Sequence, residues 1–268
     1  MPTGFKLSTG AECNLNQGQE YLQRCWQHAL LQLPKRIDYL ILNGDTTEGQ
    51  SLKDEGRGLS EIDPGFQVRA AVQLLKPLAK RCKTVWATRG SGYHAGIGGG
   101  YEETVADSLG AQSFSGWKAT PWLRVELGGL LFDISHRQSI TIAYRSMPLE
   151  REMRFALEAA ARRGERAPDV IVRSHAHYGY SLWEDGRRYA ISTPSFKLMD
   201  SYILGSISPN RAMPWSLGMI LLRINDREEQ GHKLRTCPLL YDHPPLVRNG
   251  NMEVTLDEKQ KGASETLP

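Results

Sequence analysis

Cysteine is scarce in this sequence, and its few cysteines do not occur at the spacing of a metal-binding motif. The 268 residues contain Cys13, Cys25, Cys82 and Cys237 and no Cys-x-x-Cys pair. This spacing excludes a zinc ribbon. Scattered single cysteines are typical of reduced thiols, so we expect a cytoplasmic protein whose cysteines are mostly structural.

Long apolar runs and a strong net charge are also missing. No apolar run approaches the roughly 18 residues that cross a bilayer, and the first residues lack the charged-then-apolar pattern of a signal peptide. The net charge of +3 is too small to indicate nucleic acid or an anionic membrane as a partner. We therefore expect no membrane association. The oligomeric state is not indicated.

The hydrophobic patterns that are present predict an α/β fold. Apolar residues recur at helical spacing over residues 18–33, 68–78, 101–109 and 149–163. Strand-like runs cover residues 38–43, 84–88, 123–127, 130–134, 170–172 and 219–224, and a hairpin is predicted over 180–192. Helices and strands alternate early and hairpins come late, which indicates a layered domain. We expect one domain over residues 1–247 and a polar, disordered tail over 248–268.

Two histidines follow the predicted strand Val170-Ile171-Val172. Side chains at positions i and i+2 of a strand point to the same face. If the extended geometry continues through Ala176, His175 and His177 therefore face one cavity. Neutral imidazoles are good metal ligands. On its own, the pattern also fits a loop with two solvated histidines.

Further polar residues follow the other predicted strands. Asp45 follows the strand 38–43, His94 follows the strand 84–88, and His136 follows the strand 130–134. Sites in α/β sheets form at the carboxyl ends of strands, so these residues should converge with the histidine pair. Taken singly, Asp45 could cap a turn, His136 could be a core histidine, and His94 could be exposed in its Gly-rich loop (89–100).

The order of these motifs resembles that of the calcineurin-like metallophosphoesterases. The matching segments are Gly44-Asp45-Thr46-Thr47-Glu48-Gly49, Arg89 to His94, His136, and Ser174-His175-Ala176-His177. The resemblance runs from about Lys6 to Asn225. The motif Arg-Gly-x-x-x-His-x-Gly is similar to that of a branch of the family found in phage and prophage genomes.

The resemblance implies a fold, a cofactor and an activity. The fold would be two mixed sheets packed as a sandwich with flanking helices. Two divalent ions (Mn, Fe, Ni or Zn) would be bridged by Asp45, with His177 on the first ion and His136 and His175 on the second. His94 would be the catalytic residue, stabilising charge on the phosphoryl group or protonating the leaving oxygen. The substrate would be a phosphate mono- or diester, possible examples being a nucleotide or a nucleic-acid end.

The sequence departs from the family pattern in two places. No Asp-x-His precedes Asp45, and the N-terminal edge strand that would carry it is missing. His28 lies inside the first predicted helix and is rejected as a ligand. We hypothesise that Met1 is an internal methionine of a longer protein. The alternative is a catalytically silent relative that acts as a binding protein.

The second departure concerns the asparagine that precedes the catalytic histidine in the family, which is absent before His94. Ser91 is the candidate substitute, as a metal or substrate ligand. Asn43 is close to Asp45 in the sequence but is expected to face away from it. A dinucleotide site at Gly96–Gly100 is rejected because the third required glycine falls on Tyr101. Glu102, in the first turn of the next helix, would also repel a phosphate there. The segments 50–64 and 195–217 are expected to shape the pocket.

Overall fold

Helices and strands alternate through the first half of the chain, as the sequence predicts. The computed structural model describes residues 2, 4–50, 59, 61–137, 147–176, 179–198, 216–225, 227–228 and 233–244. The helices are α1 (Gln17–Gln32), α2 (Pro64–Ala79), α3 (Gly92–Ala95), α4 (Gly100–Ser108) and α5 (Met147–Arg163). The strands are β1 (Ile37–Asn43), β2 (Cys82–Thr88), β3 (Ala119–Thr120), β4 (Leu123–Leu127), β5 (Leu130–Ile134), β6 (Val170–Arg173), β7 (Ser181–Glu184), β8 (Tyr189–Ser192), β9 (Leu217–Ile224) and β10 (Leu234–Tyr241).

Local capping interactions set where the first two long helices begin. At α1, Gln19 N donates to the Asn16 side chain over 2.9 Å, and Asn16 N donates to the Gln19 side chain over 3.0 Å. This capping box satisfies two backbone donors that a helix start leaves unpaired. At α2, Asp63 accepts from the first-turn N–H groups, and Pro64 takes the first helical position, where its missing N–H is not needed.

The strands form parallel and antiparallel pairs. Within the described residues there are three hydrogen-bonded sheets, with the orders β1-β2-β3, β4-β5-β6-β8-β7 and β9-β10. All pairs of the first sheet are parallel, and the second sheet mixes the parallel pairs β5-β6 and β6-β8 with two antiparallel hairpins. The sequence analysis missed β3, which has two residues, and β10, which contains Pro238.

The sheets pack face to face around one apolar core. Trp86 of β2 and Ile41 of β1 share this core with Phe132 of β5, Val172 of β6 and Ile220 of β9. The first sheet and the β9–β10 hairpin thus lie on one side, and the five-stranded sheet lies on the other. Burying a large side chain such as Phe132 contributes about 1.5–3 kcal/mol. The predicted α/β class, with sheets packed in layers and helices outside, is confirmed.

The helices cover the outer faces of the two layers. Tyr21, Cys25 and Ala29 of α1 pack against Leu217 and Tyr241 of the β9–β10 hairpin. On the opposite side of the molecule, Leu149 and Met153 of α5 are fully buried against Ile171 and Ala190. Helices α2 and α4 pack against each other beside the first sheet.

Several predictions about single segments have a clear outcome. The loop predicted over 89–100 contains α3 and a short 3-10 helix at Ile97–Gly99, so the prediction of an irregular loop was wrong there. The four cysteines form no disulfide. Within the described parts of the chain, no helix has the length and hydropathy needed to cross a membrane. The tail 248–268 lies outside the described residues, and the single domain over 1–247 stays a prediction.

Candidate metal centre

The side chains predicted to converge do meet at one edge of the sandwich. Asp45 follows β1, His136 follows β5 and His175 follows β6. One ligand atom from each of these residues lies within 4.8 Å of the others. The fourth predicted metal ligand, His177, lies outside the described residues. The long-range convergence predicted from the strand ends is therefore seen for three of the four predicted ligands.

Asp45 lies at the centre of this cluster. Its carboxylate is 2.8 Å from His136 Nε2 and 3.8 Å from His94 Nε2. It also accepts from Ser91 N over 2.7 Å and from Ser91 Oγ over 3.0 Å. Burial alone would raise the pKa of Asp45, but the hydrogen bond and charge of His136 and the nearby His94 outweigh it and hold the pKa well below its usual range. Asp45 is therefore held as a carboxylate.

Two glycines make room for this arrangement. Gly44 has φ +76°, and a Cβ at this position would lie 2.6 Å from His136 Nδ1. A Cβ on Gly90 would lie 2.1 Å from Asp45 Oδ1. Asp45 itself has φ 53°, a left-handed conformation that aspartate tolerates better than most residues. The turn after β1 can aim the carboxylate into the site only because both neighbouring positions lack side chains.

His136 is fixed with one ring nitrogen facing the cluster. Its Nδ1 lies 2.7 Å from the carbonyl oxygen of Asn43. A carbonyl oxygen only accepts, so Nδ1 carries the hydrogen and Nε2 faces Asp45. Burial would lower the pKa of His136, but the hydrogen bond and charge of Asp45 overcome it and raise the pKa. A hydrogen bond that orients a ring in this way is the usual support of a metal-bound histidine.

His175 reaches the cluster through a turn rather than through a continued strand. Strand β6 ends at Arg173, and His175 has φ 69°, so the expectation that extended geometry lasts through Ala176 was wrong. Its Nδ1 lies 3.2 Å from His136 Nε2. Burial and the charge of His136 lower the pKa of His175, which favours the neutral form that binds metals.

His94 lies in α3, next to Asp45, and is buried. Its Nδ1 is 2.5 Å from the carbonyl oxygen of Glu48, so Nδ1 carries the hydrogen and Nε2 points toward Asp45. The ring of Tyr93 lies against it, with the centroids 3.9 Å apart. The alternative of an exposed loop histidine was therefore wrong.

Ser91 and Asn43 both support the cluster, in different ways. Ser91 binds the Asp45 carboxylate, as described above, and so orients a ligand. Asn43 is the last residue of β1, and the chain leaves the strand geometry at Gly44 and Asp45, which both have positive φ. The Asn43 amide donates to Ser135 O over 3.2 Å and to Ser174 Oγ over 2.7 Å, and its oxygen accepts from Thr88 Oγ1 over 2.6 Å. Asn43 thus connects the first sheet with the ends of β5 and β6.

Glu102 is a supporting residue that the sequence analysis did not recognise. Its side chain is buried and accepts from Gly90 N over 2.5 Å and from Thr46 N over 3.3 Å. Burial and the charge of Asp45 raise the pKa of Glu102. It holds together the two loops that carry Asp45 and Ser91. The sequence shows that Glu102 lies in the first turn of a helix. It gives no signal for the long-range contacts that Glu102 makes.

A cavity of ≈ 1260 Å³ opens beside the cluster and is lined by Asp45, His94, His136 and His175. Leu59 and Glu61, from the segment 50–64, also line it, as do Ser195 to Leu198 from the segment 195–217. The described parts of both segments therefore shape the pocket as predicted. Lys197 Nζ lies 2.7 Å from Glu48 Oε1 at this cavity.

Comparisons with known proteins find structural similarity only. No family model matches the sequence, and no curated protein matches it. A single mutant of Vps29 from Entamoeba histolytica is 14% identical, covering 90% of this chain and 97% of that chain, with a TM-score of 0.40. Wild-type Vps29 complexed with zinc, from the same organism, is 14% identical over 85% of this chain and 92% of that chain, with a TM-score of 0.39. Vps29 from Chaetomium thermophilum is 11% identical over 84% and 89% of the two chains, with a TM-score of 0.39.

Proposed function

We propose that this protein binds a divalent cation at Asp45, His136 and His175 and hydrolyses a phosphate ester beside it. The observation that carries the proposal is the meeting of one carboxylate and two imidazoles, from distant parts of the chain, within 4.8 Å. Three protein ligands with space for a further ligand are typical of catalytic metal sites.

The donor set fits a transition-metal ion. Tetrahedral ligands about 2.0–2.1 Å from an ion lie roughly 3.3 Å from one another. The atoms here are already close to this spacing, with 2.8 Å from Asp45 Oδ2 to His136 Nε2 and 3.2 Å from His136 Nε2 to His175 Nδ1. A bound cation would replace the direct contact between Asp45 Oδ2 and His136 Nε2.

Mixed nitrogen and oxygen donors suit Mn²⁺, Fe, Ni²⁺ or Zn²⁺. Asp45 has two carboxylate oxygens, so it could also bridge to a second ion, for which His177 is the predicted ligand. The dinuclear site stays a prediction. A bound ion would supply Lewis acidity toward a phosphoryl oxygen. The chain itself supplies orientation, since Ser91 fixes the Asp45 carboxylate and Asn43 O fixes the His136 ring.

His94 is the residue that would move a proton. Its ring is buried, its Nδ1–H is committed to Glu48 O, and its Nε2 lies 3.8 Å from Asp45 on the wall of the cavity. When Nε2 carries a proton, it could donate that proton to the leaving oxygen of the ester. The substrate would be a phosphate mono- or diester, with nucleotides and nucleic-acid ends among the candidates.

The second candidate function is a metal-binding protein without catalysis. The favouring observation is the small ligand set: among the described residues, the cluster holds one carboxylate and two imidazoles, fewer than a tight two-ion site needs. Such a relative would bind a cation and a partner at this edge but would not turn over an ester.

One experiment separates the two candidates. The purified protein is incubated with Mn²⁺, Ni²⁺ or Zn²⁺ and an aryl phosphodiester or monoester, and metal binding is measured in parallel by calorimetry. We expect hydrolysis that is lost in Asp45→Asn and His94→Ala, whereas His94→Ala keeps metal binding.

His28→Ala is the matched control, because His28 lies in α1 and bonds to Tyr241 of β10 rather than to a residue of the cluster. Metal binding without hydrolysis would support the silent relative. Hydrolysis that survives both Asp45→Asn and His94→Ala would contradict the proposed site.

A further inference from the structure

The cavity beside the cluster is lined by more acidic than basic side chains. Lys197 is the one lysine or arginine in the described part of its lining. The acidic residues there are Asp38, Asp45, Glu48 and Glu61. A phosphate ester is an anion at neutral pH, and moving an anion out of water is unfavourable unless other charges or donors compensate it. Apart from the histidines and a bound cation, Lys197 is therefore the positive charge that the described lining offers to a phosphate.

The backbone next to Lys197 is held against the wall of the cavity. The segment follows β8, and Ser195 forms a bridge with Leu217 at the start of β9. The ring of Phe196 packs edge-on against Trp26 of α1, with the centroids 5.2 Å apart. These contacts fix the residues just before Lys197. Its long side chain, with four flexible carbons, is then the part that can change partner.

The ammonium group of Lys197 lies beside the residue that orients His94. Its Nζ is 2.7 Å from Glu48 Oε1. The backbone oxygen of Glu48 accepts from His94 Nδ1 over 2.5 Å, and His94 Nε2 is 3.8 Å from the Asp45 carboxylate. A series of direct contacts therefore connects the ammonium group with the cluster, on the side of the cavity where His94 lies.

The ion pair between Lys197 and Glu48 is suited to an exchange of partners. The Lys197 side chain is 21% exposed and that of Glu48 is 45% exposed. Ion pairs that water reaches contribute little to stability, so little is lost when another anion replaces Glu48. Lysine is a common ligand of phosphate oxygens. Glu48 would still orient His94 after the exchange, because that contact uses its backbone oxygen.

We propose that Lys197 leaves Glu48 when substrate binds, contacts a terminal oxygen of the phosphoryl group, and selects phosphate monoesters over diesters. This inference deepens the proposed function and rests on it. A monoester carries close to two negative charges at neutral pH, whereas a diester carries one. A monoester also has three terminal oxygens, so one can contact Lys197 while another faces the bound cation. The attraction of Lys197 is therefore larger for the monoester.

The kcat/KM values of a monoester and a diester with the same aryl leaving group test this selection. In Lys197→Met, the value for the monoester should fall about 10- to 100-fold, the size expected for one hydrogen bond to a charged group. Coulomb energy scales with charge, so the value for the diester should fall only about 3- to 10-fold. Lys197→Arg keeps the charge and should keep most of the preference. Lys118→Met is the matched control and should change neither value, because Lys118 pairs with Asp107 and does not line the cavity.

Glu48→Gln separates the recognition of charge from a structural role of the ion pair. Glu48→Gln and Lys197→Met both remove this ion pair, so a disturbance of folding or of loop position would affect the two variants alike. The proposed exchange gives opposite signs instead. The KM for the monoester should rise in Lys197→Met, which loses the contact, and should fall in Glu48→Gln, which loses the competing carboxylate.

Binding of phenylphosphonate keeps one measurement independent of turnover. This compound is a dianion that resembles a monoester but has no ester bond to hydrolyse. Its dissociation constant for the zinc-loaded protein, measured by calorimetry, should rise at least about tenfold in Lys197→Met and stay unchanged in Lys118→Met. A protein that shows this dependence on Lys197 but hydrolyses neither ester would contradict the proposed hydrolysis while supporting the contact of Lys197 with the anion.

Three results would overturn the inference. One is a loss of kcat/KM by the same factor for both esters in Lys197→Met. Another is a change of KM in the same direction in Lys197→Met and Glu48→Gln, which would reduce the ion pair to a structural contact. The last is equal affinity of the wild type and Lys197→Met for phenylphosphonate.

Discussion

Replacing Gly90 with alanine should displace Asp45, the central carboxylate of the cluster. Gly90 lies directly against Asp45, and its added Cβ would be 2.1 Å from Oδ1, 2.4 Å from the backbone N and 3.0 Å from Cγ of Asp45. Real Cβ atoms essentially never approach other heavy atoms closer than 3.0 Å. Both the side chain and the backbone of Asp45 are contacted, so a rotation of the carboxylate cannot relieve the clash.

The size of the effect follows from the required movement. Restoring ordinary contact needs a displacement of about 1 Å, and misplacement on this scale disturbs a site strongly. Disturbing the support of a metal ligand typically weakens metal binding by about 10- to 100-fold, or roughly 1.4–2.7 kcal/mol. In the metal-free protein the same overpacking should lower the free energy of unfolding by about 1–3 kcal/mol.

The assay needs no assumption about substrate. Zinc affinity is measured by competition with a chromophoric chelator, and the free energy of unfolding is measured by urea denaturation with chelator present. Gly92→Ala is the matched control two residues away, because its Cβ would meet no atom within 4 Å. Gly92 opens α3, where alanine is favoured over glycine by up to about 1 kcal/mol.

A Gly90→Ala protein that binds zinc as tightly as the wild type and unfolds at the same urea concentration would refute this reasoning. Equal losses in Gly90→Ala and Gly92→Ala would also refute it, because the effect would then belong to the loop and not to the approach of Gly90 to Asp45.

Further predictions concern the connection between the layers, the site's protonation and the core. Asn43→Ala should lower the free energy of unfolding in urea by about 2–4 kcal/mol, because three hydrogen bonds are lost; a loss below about 0.5 kcal/mol would contradict this role. Zinc affinity should fall as the pH falls, by up to about tenfold per unit, because the pKa of His136 is raised in the metal-free protein and its proton competes with the cation. Calorimetry in buffers of different ionisation enthalpy should show proton release on binding, and a pH-independent affinity would count against the site. Met153→Ala should destabilise by about 2–5 kcal/mol because Met153 is fully buried. Phe155→Ala, on the exposed face of the same helix, should stay within about 0.5 kcal/mol, and equal effects of the two changes would contradict the packing of α5.

Local patterns predicted most elements of the fold because their causes are local. The hairpin strands Leu123–Leu127 and Leu130–Ile134 have the predicted bounds, since the Gly128-Gly129 turn and the apolar runs sit in adjacent residues. The short strand β3 was not predicted because two residues are too few to show the alternating hydrophobic pattern of a strand. Strand β10 escaped because Pro238 disfavours a strand unless the position needs no hydrogen bond.

The candidate site, like the fold, could be predicted from the sequence only in part. The rule that sites form at the carboxyl ends of strands predicted that Asp45, His136 and His175 converge. Strands β5 and β6 are parallel neighbours, which places His136 beside His175, whereas Asp45 reaches them from the other layer. The support from Ser91, the orientation of His136 by Asn43 O and the burial of Glu102 depend on tertiary contacts. No spacing in the sequence encodes these contacts. His175 shows the same limit, because its left-handed backbone replaces the strand geometry that the sequence favoured.

The three side chains of the cluster come from opposite layers of the sandwich. Asp45 belongs to the layer of β1, whereas His136 and His175 belong to the layer of β5 and β6. An ion bound by all three side chains would cross-link the two layers and oppose their sliding or separation. Loading at 100 times the dissociation constant would add about 2.7 kcal/mol to the stability of the folded protein. Cation supply would then govern the lifetime of the whole molecule in the presence of proteases.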